Sequence, residues 1–175
     1  ARACNLSESL AAGEDVGLGP IVAALTGEAD HGVLVDGRSK DFDTVALELN
    51  SHDHTLLVIN THAEPRELPP LATRLKSLEH VADAFGVGSL RELSPEDLQA
   101  KKSLKGVSKG EQALAAHSIR ENSRVLEVVR TLREDGPTAL SALFADSHQS
   151  LADAFGSHPL DVDLAVQISL DNGAS

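Results

Sequence analysis

The chain of 175 residues has no Trp, Tyr or Met, only four Phe and a single Cys. Without large aromatics, its core has to be built mainly from Leu, Val and Ala. The lone Cys4 excludes an internal disulfide, which fits a reducing compartment and points to the cytoplasm. No apolar run approaches the roughly 18 residues of a membrane-spanning helix, and the N-terminal stretch does not read as a signal peptide. The absence of Met means that residue 1 is not an unprocessed start, so a fragment or a trimmed chain is expected. Basic residues are also scarce: 15 Lys and Arg stand against 27 Asp and Glu, a formal net charge of -12. Such a surface repels nucleic acid and anionic membranes, and neither is expected as a partner. The one basic cluster, residues 101–109, is flanked by acidic segments and reads as a loop. What remains is 41% hydrophobic, enough for a core and too much for global disorder.

Punctuation and periodicity divide the chain. Residues 4–13 read as a short helix ending near Gly13, and residues 21–27 as a second short helix or buried segment closed by Gly27. Three strands are expected in close succession: one at residues 33–36, one in "TVALEL" (residues 44–49), whose apolar and polar residues alternate, and one in "HTLLVINTH" (residues 54–62). The last is a near-continuous apolar run, as in a central strand buried on both faces. Helices follow. Residues 71–85 carry Leu71, Leu75, Leu78, Ala82 and Phe85 at helical spacing, with Gly86 placed to stop them. "SPEDLQA" offers Ser94 as N-cap, Pro95 at the first helical position and Asp97 at the capping-box position. Residues 111–133 form a long helix with an expected buried stripe of Leu114, Ile119, Leu126, Val129 and Leu132. Residues 138–154 and 160–170 give two more helices, separated at His158–Pro159. Strands first and helices after predict an α+β fold: an antiparallel or mixed sheet with helices packed on it. The whole reads as one domain or a partial chain, with a strand-containing part over about residues 16–62 and a helical part over about residues 69–172.

Candidate chemistry is sparse. Ser147 and His148 are adjacent, but neighbours on a helix point about 100° apart, which opposes a nucleophile–base pair. Leu151 and Phe155, four residues apart, are expected to be the buried anchors of that helix. His52 and His54 share one face if the segment is a strand, and with His62 they make a weak metal-ligand pattern; exposed polar residues where a turn enters a strand account for them better, and no metal is assigned. "GLGP" and "GVGS" lack the Lys-Ser/Thr of a phosphate loop and the spacing of a dinucleotide fingerprint. Cys4 has no activating neighbour in the sequence.

Five blocks in order resemble the galactokinases, sugar kinases of the GHMP kinase superfamily. They are "HGVLVDGRS", "LLVINTHAEPREL", "ATRLKSLEHVADAFGVGSLREL", "AAHSIRENSRVLEVVRTLRE" and "FADSHQSLADAF". They include Arg74 at an arginine-rich position and Glu121-Asn122 followed by Arg124-Val125-Leu126. The resemblance implies the C-terminal part of a two-lobed kinase that transfers the γ-phosphoryl group of MgATP to the 1-hydroxyl of galactose. Such chemistry rests on positioning and charge stabilisation. It also implies an activating Asp in a Gly-Ile-Met-Asp-Gln type stretch. The corresponding residues here are "GLGPIVAAL", residues 17–25, with no Met, Asp or Gln. Gly19 retains the glycine of that loop and is the one substrate-binding residue the resemblance implies. No catalytic or cofactor-binding residue is assigned, and Leu71 stands where the family has a sugar-contacting Tyr. These departures are compatible with a non-catalytic sugar-binding or regulatory relative, with a truncated or redesigned piece, or with a sequence from which residues are omitted.

Overall fold

The structure is a computed structural model that describes residues 2–13, 17–64, 69–100, 104–156 and 159–174. The elements run α1 (Arg2–Ala12), α2 (Leu18–Thr26), β1 (His31–Val35), β2 (Phe42–Ala46), α3 (Leu71–Phe85), α4 (Pro95–Ala100), α5 (Lys109–Glu134), α6 (Ser141–Phe155) and α7 (Leu160–Asp171). Short 3-10 turns stand at Asn50–His52, Leu90–Glu92 and Pro137–Ala139. Among the described residues the fold is mostly helical with a two-stranded antiparallel sheet, consistent with the α+β class. His158, expected in the break before α7, and residues 101–103 of the basic cluster lie outside the described residues.

The chain divides into two compact units: residues 1–56 with 129–139, and residues 57–128 with 140–175. In the first, β1 and β2 pair with His31 opposite Ala46, Val33 opposite Thr44 and Val35 opposite Phe42. The "DGRS" turn between them is organised by Asp36. Its carboxylate accepts from the backbone N–H groups of Arg38 (2.8 Å) and Ser39 (3.2 Å), as an Asx turn does. Val45 on β2 and Ile21 and Val22 on α2 are the buried apolar residues of these segments. Gly136 adopts a positive φ of 79°, and a Cβ built there would come within 3.1 Å of the His52 ring. A side chain at that position would be both strained and crowded.

The second unit is helical. Val81 of α3 packs with Val107 and Ala115, and Leu78, Phe85, Leu90 and Leu104 gather around them. Gly86, at φ 78°, ends α3 as the sequence predicts: its N–H reaches the carbonyls of Ala82 and Asp83, and Val87 N–H returns to Ala82. The capping box of α4 also forms. Ser94 N–H donates to the Asp97 carboxylate at 2.8 Å and Asp97 N–H to Ser94 Oγ at 3.3 Å. A second box opens α5, with Ser108 N–H donating to Glu111 at 2.8 Å and Glu111 N–H to Ser108 Oγ at 3.2 Å.

Three expectations are corrected. The apolar segment at residues 55–60 is not a strand: no backbone pairing involves it among the described residues, and Val58 is 93% exposed. An apolar run expresses a preference for burial, whereas a strand also needs a partner to complete its ladder. Leu126 of the expected α5 stripe is 59% exposed, whereas Ile119 of the same stripe is 1% exposed. Leu75 of α3 is likewise exposed, and the unexpected Val81 is the deepest residue of that helix.

Candidate functional site

The polar residues that meet in the second unit come from α3, α5 and α6. His117, Glu121 and Arg124 recur at i, i+4 and i+7 and so share one face of α5. Ser147 and Ser150 share one face of α6. The two sets answer each other: Ser147 Oγ donates to Glu121 Oε2 at 2.8 Å, and Ser150 Oγ lies 2.9 Å from His117 Nδ1. Arg124 forms an ion pair with Glu121 one turn back on the same helix. Phe155 presents its ring to His117 edge-on at 6.1 Å between centroids, and the Arg74 guanidinium of α3 lies 5.9 Å from the Phe155 centroid, a cation–π arrangement. Arg74 Nε is buried with no hydrogen-bond partner. Burial, and secondarily the charge of Arg124, hold the His117 pKa below the usual histidine value.

This arrangement resembles a serine–histidine–acid site only in composition. Glu121 approaches the same nitrogen, Nδ1, that faces Ser150, at 4.0 Å. A relay needs the acid on one ring nitrogen and the nucleophile on the other. Ser150 is also buried, so its hydroxyl is closed to substrate. The cluster therefore ties helices together and performs no nucleophilic step.

Ser147 and His148 do not pair with each other, as helix geometry predicts. His148 Nε2 instead donates to Asp163 Oδ1 of α7 at 3.0 Å. His148 also lines a hollow of about 530 Å³ walled by Leu57, Ile59, Phe144, Val162 and Val166. Phe155 is half-buried as an anchor should be, but Leu151 is 40% exposed, a correction. The α5 helix meets α6 through Ser147, Ser150 and Phe155.

Gly19 lies in the first turn of α2, where a Cβ would meet nothing within 4 Å. His52 pairs with Glu48 (3.8 Å) in the first unit, His54 Nδ1 lies 2.5 Å from the His52 carbonyl, and His62 is exposed. Among the described residues no three His, Cys, Asp or Glu gather as a metal-holding group. Residues 17–25 offer no side-chain acid or base, so this stretch does not fit the site that holds and activates MgATP and the sugar hydroxyl. No helix of the described residues is long and apolar enough to cross a membrane. The His117–Ser150 contact has no signature of its own in the sequence, although the i, i+4, i+7 spacing of His117, Glu121 and Arg124 marks a polar stripe on a helix that otherwise packs.

The fold is that of a galactokinase. A crystal structure of Lactococcus lactis galactokinase complexed with galactose superposes with a TM-score of 0.76 at 22% identity, over 95% of this chain and 44% of that one. The chain is 29% identical to the galactokinase of Streptomyces coelicolor over 99% of its length and 31% identical to that of Homo sapiens over 97%. It is thus a relative of the galactokinases, as the five sequence blocks imply. It spans less than half the length of these curated relatives, 45% and 43% respectively. No family model matches the chain.

Proposed function

We propose that the chain is part of an ATP-dependent galactokinase of the cytoplasm, a protein that transfers the γ-phosphoryl group of MgATP to the 1-hydroxyl of galactose. The observation that carries this reading is the 31% identity to human galactokinase across 97% of the chain. The galactose bound in the Lactococcus lactis protein supports the sugar by resemblance. In this reading Gly19 contacts the sugar through its backbone, and the α3–α5–α6 cluster is scaffold. The 175 residues alone are inactive, because residues 17–25 supply no group to take the proton of the sugar hydroxyl.

The missing carboxylate favours one second reading, a non-catalytic sugar-binding or regulatory module on the same scaffold. Titration calorimetry with galactose, with and without MgATP, separates the two. Saturable heat from galactose without ADP release supports the module. Absence of heat from either ligand supports a part whose binding groups lie elsewhere in a kinase. Replacing Gly19 by Val should abolish any galactose heat, and an unchanged isotherm contradicts a sugar contact at that position.

A further inference from the structure

We propose that His117 is a proton-controlled latch between α5 and α6: the neutral imidazole holds the two helices together, and protonation releases α6.

The His117 ring is surrounded by groups from three helices. From α5, Glu121 approaches Nδ1 at 4.0 Å and Arg124 stands beside Glu121. From α6 come only uncharged groups, Ser147, Ser150 and Phe155. From α3 comes Arg74, across the Phe155 ring. The cluster thus holds one carboxylate and two guanidiniums while His117 is neutral. That carboxylate is already engaged by Arg124 and by the Ser147 hydroxyl. A proton on His117 adds a third cation beside a single carboxylate that Arg124 and the Ser147 hydroxyl already share, on a side chain that is 15% exposed. The Ser150 hydroxyl can donate to a neutral ring or accept from a charged one, so it does not oppose the change; the unbalanced charge drives it.

Release falls on α6 because the tie from α6 to α5 is made by Ser147 and Ser150. Arg74 and Arg124 are carried by α3 and α5, and separating α6 opens the cluster to water, where a third cation is readily solvated. Any opened form that lets water reach His117 binds its proton more tightly than the closed form, so acid shifts the population toward that form. The depressed pKa of His117 has the sign this requires. His148, also on α6, is a different case: its ring nitrogen meets the carboxylate of Asp163 on α7.

Hydrogen exchange of the α6 amides, corrected for the intrinsic pH dependence of exchange, tests the latch. Between about pH 7.5 and about pH 5.5 the protection of α6 should fall roughly threefold or more. His117→Gln, which keeps a polar side chain but cannot titrate, should abolish that fall; His148→Gln should leave it in place. Unchanged protection in the unmodified chain overturns the proposal, as does a fall that persists undiminished in H117Q or vanishes in H148Q. A measurement needing no variant stands beside these. The NMR titration midpoint of the His117 ring should coincide with the midpoint of the α6 protection loss, and separate midpoints overturn the latch.

Discussion

The two units of the molecule place their charges differently. In residues 57–128 with 140–175, Arg124 is 13% exposed and its partner Glu121 31%, and both sit between packed helices with His117. In residues 1–56 with 129–139, the pair Arg133–Asp43, at 2.7 Å, is 55% and 61% exposed, and the Glu48–His52 contact also reaches solvent. Desolvated charges are costly to leave without a partner, whereas exposed pairs contribute little. The helical unit therefore depends on particular polar side chains, and the strand unit depends on its hairpin register and a few apolar residues. One unit should be sensitive to single substitutions and to pH where the other is not.

That contrast can be broken in four ways. The largest effect is expected from Ile119→Ala on the inner face of α5, where removal of a fully buried side chain should cost about 2–4 kcal/mol in urea unfolding. A loss well below that range means the α5 face is loosely packed. Next, Glu121→Ala should cost about 1–3 kcal/mol, since Arg124 and Ser147 lose their common partner. Doubling it with Arg124→Ala should restore part of the loss, and strict additivity in that cycle would deny the coupling.

The third effect is on pH. Glu111 accepts from His80 of α3 (2.9 Å) and caps α5 through Ser108, and these hydrogen bonds, led by that from His80, hold its pKa down to about 2. A carboxyl depressed in the folded state stabilises above its unfolded value of 4.5, and that contribution is lost as pH falls toward 2. The Tm advantage of the unmodified chain over Glu111→Gln should be full at neutral pH and shrink progressively across that interval. A difference independent of pH would assign the effect to packing. The smallest change is expected from Arg133→Ala in the strand unit, about 0–1 kcal/mol and weaker in high salt. A loss as large as that of Glu121→Ala would erase the distinction between the units.

Local signals in the sequence were followed closely by the fold. Gly86 as a helix stop, the Ser94–Asp97 box and the extents of α5, α6 and α7 depend on spacing and caps, which a single chain carries within a few residues. Long-range facts were less visible. The segment at residues 55–60 has the composition of a central strand, yet its pairing depends on other backbone, which composition does not specify. Leu126 and Leu151 have the right period but remain exposed. The cluster was half legible: Arg74, Glu121 and Arg124 stand in blocks that resemble the galactokinases, while the meeting of His117 with Ser150 is a product of helix packing between residues 33 positions apart. The kinship itself was legible because five blocks recur in order. That residues 17–25 carry no acidic side chain is read from the sequence directly.

The claim that these residues carry the galactokinase fold without a catalytic base of their own is met most directly by one assay. The 175-residue chain is incubated with galactose and MgATP, and ADP release is followed by a coupled enzyme system. The account predicts no release above the galactose-free control. Sustained, galactose-dependent release would contradict it and show that a base for the sugar hydroxyl exists within this chain.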